Sequence, residues 1–196
     1  MIILLNVYVF YLELTASNPD MVIARYALIS SQVNFDNLRT LIPFISSQFL
    51  HGGFLHIISN MLFLWVFGRN VEARWRIFFP VLYLGSGAVG GLVQHLIDPF
   101  SNIPMLGASG AVAGVLGSYF TFFPRHKIKT LIFVFFFVTI VEIPAAVLLF
   151  YWFMIQVLAL SIFPVGQGGI AYAAHVGGFA TGLVISQLFF RIGSTK

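Results

Sequence analysis

The sequence predicts an all-α integral membrane protein, a bundle of six transmembrane helices with a long outer loop between the first two. Three observations carry that prediction. Only 8% of the 196 residues are charged and 59% are hydrophobic, with a mean hydropathy of +0.96, whereas soluble domains carry about 25% charged residues. Apolar segments alternate with short turns rich in Pro, Gly and charge. The basic residues also divide unequally between the two sets of turns, as membrane orientation requires.

A single domain over residues 1–196 is expected, because no linker, charge block, repeat or low-complexity tract marks a boundary. The absence of cysteine excludes disulfides, thiol redox chemistry and thiolate metal sites. The +4 net charge belongs to membrane orientation rather than to nucleic-acid binding.

Residues 2–14 form an apolar segment with no basic stretch before it and no small-residue cleavage pattern after it, which argues against a signal peptide. At about 1.5 Å per residue the segment is short for a ~30 Å hydrocarbon core, so a first helix trimmed at its start or tilted is expected. Residues 15–50 are the most polar part, with Asp20, Arg25, Asp36 and Arg39. Their amphipathic patches at 22–29 and 38–45 predict a long loop lying on the membrane surface. A second helix is expected at 54–67, a charged turn at 68–76 and a third helix at 77–97. The loop 98–108, in which Asp98 caps a helix end, leads to a fourth helix at 109–123, stopped by Pro124 and a basic cluster. The Phe-, Val- and Ile-rich run 131–140 reads as extended or interfacial. Glu142, Ile143 and Pro144 then start a fifth helix that runs to 162. A Gly/Pro-rich loop precedes the last helix at 172–190.

Six helices put both termini on one side. Arg69, Arg74, Arg76, Arg125, Lys127, Lys129, Arg191 and Lys196 lie on that side against Arg25 and Arg39 on the other. Both termini are therefore expected to be cytoplasmic, with Ser109 approached from the outer face.

Depth turns this topology into chemistry. A 15-residue helix from Ser109 to Phe123 is about 22 Å long, less than the ~30 Å core, so Ser109 should lie several ångströms below the outer surface. His175, 15 residues before Phe190, falls at the same depth by the same arithmetic. His56 and Asn60, four residues apart on one helical face, also fall there. Gly110/Gly114 and Gly178/Gly182 are matching small-residue ridges that allow close helix approach.

A hydroxyl beside an imidazole is the minimal set for nucleophilic acyl transfer. An intramembrane histidine is a functional candidate by default. Two other readings fit the same residues at this point. Gly, Ala and Ser at four-residue spacing also describe packed transmembrane contacts, and His51, His56 and His175 could be zinc ligands, although no HExxH motif or acidic base accompanies them.

The run His51-x4-His56-x3-Asn60, then Gly68-Arg-Asn-Val-Glu72, then Gly107-Ala-Ser109-Gly110, then Ala174-His175-Val-Gly177-Gly178 with Gly182, resembles the rhomboid intramembrane serine proteases. The resemblance spans residues 51–182 in the family's order. It implies a Ser109/His175 dyad without an acid, cleaving peptide bonds in or beside the transmembrane segments of membrane-protein substrates. It implies an oxyanion hole of His56, Asn60 and the Ser109 backbone N–H. His51 would support the first loop, and Glu72 would tie helix ends on the cytoplasmic side. Gly107, Gly110, Gly114, Gly178 and Gly182 would serve as structural glycines. Water would reach the site through a cavity capped by the loop before the last helix and gated by the fifth helix.

No cofactor or metal is expected, and the expected setting is a bacterial inner membrane. Two departures from the family stand out. The first-loop Trp-Arg pair of some relatives is replaced by Leu41-Ile42-Pro43-Phe44, and Ala113 stands where some relatives carry an aromatic under the base. Tyr119 or Tyr172 is then expected to hold His175. The alternatives are a non-proteolytic binder of transmembrane helices, which would lack the nucleophile or base, and a small transporter using His95 and Glu142. The chain has no inverted repeat of the kind transporters carry.

Overall fold

The computed structural model of the chain describes residues 1–134, 137–163 and 170–193. Helix α1 (Ile2–Thr15) turns apolar side chains such as Leu4, Tyr8 and Tyr11 outward and buries Asn6, Phe10 and Glu13. These three recur at i, i+4 and i+7, so the face that carries the polar side chains Asn6 and Glu13 is the one turned into the protein. Asn6 Nδ2 donates to the Ile2 carbonyl at 2.9 Å and to the Tyr83 hydroxyl at 3.5 Å.

The segment expected to lie on the membrane surface is folded and anchored to the rest of the protein. Helix α2 (Pro19–Tyr26) starts where the Asn18 side chain accepts the Met21 N–H at 3.1 Å. A 3₁₀ turn at Ser30–Gln32, another at Leu38–Leu41 and the single turn α3 (Pro43–Ser46) follow. Ala27, Leu28 and Ile29 are buried, and Leu28 forms an antiparallel bridge with Met105 through bonds of 2.9 and 2.8 Å. Gln48 Nε2 donates to the carbonyls of Phe44 (2.8 Å) and Leu84 (3.1 Å). This stretch is anchored although it lacks the Trp-Arg pair.

Helix α4 (Phe54–Phe63) passes through a π turn at Leu64–Gly68 into α5 (Arg69–Trp75). The expected charged turn is therefore helical as far as Trp75. Its charges lie on the exposed face, while Val71 and Trp75, four residues apart, are buried on the other. The chain reverses at Arg76, whose φ of 53° is left-handed, and α6 (Phe79–Ile97) begins after one 3₁₀ turn. Asp98 occupies the C-cap of α6.

Helix α7 (Ser109–Phe122) is the centre of the fold, with every residue from Gly110 to Tyr119 buried. It packs most extensively on α9 (Tyr172–Gly193) and also on α6. A Cβ at Gly182 would overlap the Gly114 carbonyl, and one at Gly178 the Gly110 carbonyl. The two ridges therefore meet backbone to backbone, as the sequence predicts.

The all-α expectation needs a correction between α7 and the fifth predicted helix. Strands β1 (Lys127–Val134) and β2 (Phe137–Pro144) form an antiparallel hairpin with Lys129 opposite Glu142. Runs of Val, Ile, Thr and Phe suit a pleated ribbon better than a helix. Pro144 ends the strand, and α8 starts one residue later (Ala145–Ile162). The N–H groups of Ala145 and Ala146 bond the carbonyls of His126 (2.7 Å) and Pro124 (3.0 Å). Glu142 pairs with Lys127 at 3.5 Å on the exposed hairpin.

Among the described residues, two helical runs are long and apolar enough to cross a membrane, Phe54–Ile97 and Ala145–Ile162, and Ile2–Thr15 is a shorter apolar helix. The loop carrying Pro164, Gly166, Gly168 and Gly169 lies outside the described residues, as does Lys196.

Candidate active site

The loop 98–108 delivers Ser109 to the first position of α7 through two constraints. The Gly107 N–H donates to the Ser47 carbonyl at 2.9 Å. Gly107 itself has a φ of +119°, a conformation that L side chains rarely adopt. A Cβ there would lie 2.6 Å from His56 Nε2 and 3.8 Å from Asn60 Nδ2. The turn therefore sets Gly107, two residues before Ser109, beside both polar side chains of α4.

His175, in the first turn of α9, brings Nε2 to 2.8 Å from Ser109 Oγ. Its other nitrogen, Nδ1, lies 2.8 Å from Gln156 Oε1 on α8. An amide oxygen only accepts, so Nδ1 carries the proton and donates to it. Nε2 is then the lone-pair nitrogen that receives the serine hydroxyl.

Across the site, His56 Nδ1 accepts the Gly52 N–H at 3.4 Å, which leaves the proton on Nε2, pointing toward Gly107. Asn60 Nδ2 gives one hydrogen to the His56 carbonyl at 3.1 Å and has a second available. Ser109, His56 and His175 all sit in first helical turns, where the positive end of the helix dipole favours negative charge.

Ser109, His175, His56 and Asn60 line one open cavity of about 530 Å³, whose walls include Gln48, Trp152 and Leu106. No Asp, Glu, Lys or Arg lines it among the described residues. The arrangement provides a nucleophile, an uncharged base and a separate cluster of N–H donors in one concave space.

His51 is buried beside this cavity. Its N–H donates to both Glu13 carboxyl oxygens at 3.1 and 3.3 Å, its Nδ1 lies 3.2 Å from the Phe49 carbonyl, and its ring stands edge-on to His56 at 5.2 Å. It holds the segment before α4, in keeping with a supporting role. The three histidines do not converge: His175 faces Ser109 and Gln156, while His51 is tied to the Phe49 carbonyl.

Other expectations are redirected. The Glu72 side chain is exposed and makes no hydrogen bond or ion pair among the described residues. Helix ends on that side are tied by Trp75 Nε1, which donates to Ser118 Oγ at 2.9 Å, and by the Ser186 hydroxyl, which donates to the same oxygen at 2.8 Å. Tyr119 lies at the far end of α7, bonded to Asn70 and His126 at 3.3 Å each, so it does not hold His175. Tyr172 touches the His175 ring edge-on at 6.4 Å, and the Trp152 ring lies 6.0 Å away. His95 is buried near Phe35 and Glu142 is on the hairpin, and neither lines the cavity.

Sequence reasoning missed Gln156 and Glu13. The signal was available: each is a polar group within an otherwise apolar helix, which is the criterion that singled out His175.

Comparison with known proteins places the chain in a family. The Rhomboid domain matches residues 38–192. Over 155 residues the chain is 33% identical to "Rhomboid protein 1, mitochondrial" of Saccharomyces cerevisiae, covering 76% of this chain and 42% of that protein. It is 36% identical over 149 residues to "RHOMBOID-like protein 4" of Arabidopsis thaliana, covering 72% and 32%. To "RHOMBOID-like protein 12, mitochondrial" of the same plant it is 28% identical over 180 residues, covering 82% and 50%. The chain thus spans half or less of the length of these curated relatives. The matched domain takes in most of the chain, with Ser109, His175, His56 and Asn60 inside it, and the chain is a membrane protein that belongs to the rhomboid family.

Proposed function

We propose that the chain is an intramembrane serine endopeptidase that cleaves peptide bonds in or next to the transmembrane segments of membrane proteins. One observation carries the proposal: the 2.8 Å contact of Ser109 Oγ with His175 Nε2, in a cavity also lined by His56 and Asn60. Ser109 Oγ attacks the scissile carbonyl carbon while its proton passes to His175 Nε2. The oxyanion is held by His56 Nε2–H, Asn60 Nδ2–H and the Ser109 N–H. His175 then protonates the departing amine, the C–N bond breaks and an acyl-enzyme remains. Water, deprotonated by His175, hydrolyses the ester and restores Ser109.

The reading extends to topology. We take the chain as one domain with six spans, formed by α1, α4 continued into α5, α6, α7, α8 and α9. Both termini are then cytoplasmic and the cavity opens to the outer face, supported by the eight-to-two division of Lys and Arg. The bacterial inner membrane expected from the sequence draws no support from the relatives, two of which are named mitochondrial.

The test is cleavage of a transmembrane reporter by purified protein in detergent, with a fluorophosphonate probe labelling Ser109. Ser109→Ala should abolish both. Cleavage by Ser109→Ala at the parental rate would end the assignment.

A further inference from the structure

Gln156 has no part in the chemistry described above, yet it makes the shortest polar contact to the outer nitrogen of the base, at 2.8 Å. It is buried, 7% exposed, on a helix of which only Ala145, Leu149, Gln156 and Ala159 are buried among 18 residues. A neutral imidazole has one N–H, and only the form protonated at Nδ1 presents a lone pair to Ser109. What faces Nδ1 therefore decides whether the dyad can react.

A glutamine could face the ring by either end of its amide. Its nitrogen end would require the lone pair at Nδ1 and so leave Nε2 protonated and unable to take the serine proton. Gln156 Nε2 is instead committed to the Trp152 carbonyl one turn earlier, at 3.3 Å, which turns Oε1 toward His175. One backbone carbonyl of α8 thus selects the amide orientation, and the amide selects the tautomer. An amide oxygen does this without placing a carboxylate in the membrane, where an unpaired charge is costly. The same N–H···O contact persists, with its dipole well oriented, when the ring becomes charged during the reaction.

We propose that Gln156 is the third member of this site, a neutral positioning residue that holds His175 in its reactive tautomer and makes that state depend on α8 being seated against α9. The proposal rests on the protease reading. Whereas ten of the 14 residues of α7 are buried, only four of the 18 in α8 are, and its seat against α9 includes Phe153 stacked on Phe179 at 4.7 Å. Displacing α8 to admit a substrate helix removes the acceptor from Nδ1, so the base is set only once α8 returns. The other titratable groups near the base are His56 on α4 and Tyr172 on α9, and none of the walls contributed by α6 to α9 carries Asp, Glu, Lys or Arg among the described residues.

The test uses the full chain in detergent with two readouts, ¹⁵N NMR of the His175 ring and the rate of fluorophosphonate labelling. The parent should show the Nδ1–H form. Gln156→Met, of similar shape but without an acceptor, should show a mixture with the Nε2–H form and label about tenfold more slowly. Gln156→Glu, which keeps an acceptor, should keep the Nδ1–H form and label within about threefold of the parent, an outcome that mere packing would not produce. Phe153→Ala, which loosens α8 and leaves Gln156 in place, should shift the tautomer as Gln156→Met does, and an unchanged ring would refute the dependence on α8. An Nε2–H ring in the parent overturns the proposal without any variant. So does a folded Gln156→Met protein with parental tautomer and labelling rate. A parent that shows the Nδ1–H ring but never labels would defeat the protease reading and leave the positioning role standing.

Discussion

Replacing Gly107 by alanine tests the geometry that joins the two halves of the site. The new Cβ would lie 2.6 Å from His56 Nε2 and 2.7 Å from its Cε1. Ordinary contact begins near 3.4 Å, so the imidazole must retreat by about 0.8 Å or the turn must open by as much. The backbone adds its own penalty, because φ of +119° is strained for any residue with a Cβ, at about 1–3 kcal/mol. Losing one oxyanion donor costs about 10²–10³ in rate, and a donor displaced by most of an ångström should lose a large part of that. We expect kcat/KM for a transmembrane reporter to fall about a hundredfold at a temperature where the variant remains folded, with KM little changed. Because the loss runs through His56, the His56→Ala/Gly107→Ala double variant should be no more than about threefold slower than His56→Ala alone. Parental activity in Gly107→Ala, or fully additive losses in the double variant, would refute the placement of His56 as a donor.

Three further outcomes follow from the same structure. Gly182→Ala drives a Cβ into the Gly114 carbonyl, and overpacking of this kind costs about 1–3 kcal/mol in thermal or denaturant unfolding. If the helices part by about 1 Å to relieve it, the 2.8 Å Ser109–His175 contact passes out of hydrogen-bond range, so activity should fall about a hundredfold as well. Glu13→Leu strands the buried His51 N–H, so unfolding measurements should register a loss of about 1–3 kcal/mol, largely restored in Glu13→Gln. Glu72→Ala should change stability by less than about 0.5 kcal/mol and leave cleavage intact, because the side chain is exposed. A severe defect in that variant would reinstate the helix-tying role implied by family resemblance.

Much of this protein was legible without coordinates. Ser109, His175, His56 and Asn60 were reached by counting residues along helices of known rise, because a bilayer fixes helix length and so converts sequence distance into depth. The Gly110/Gly114 and Gly178/Gly182 ridges were legible because a missing side chain is a direct statement about approach. The hairpin was only half visible: Val, Ile, Thr and Phe argue for an extended chain, but its partner strand is set by pairing across the turn. Tyr119 was misplaced as a partner of His175 for a related reason, since depth says nothing about the direction in which a helix face points.

Composition and spacing alone therefore determined a mostly helical membrane protein and singled out Ser109, His175, His56 and Asn60 by one expected depth, both from transfer free energy and helical rise. Only the tertiary structure decided which groups touch. The turn at Gly107 lies beside His56 and Asn60 in the cavity that Ser109 lines, Glu13 of α1 holds the segment before α4, and Gln156 of α8 faces the outer nitrogen of His175. Those contacts depend on helix rotation and on the partners of single hydrogen-bonding groups, which are fixed by packing between segments far apart in the chain and have no periodic trace within any one of them.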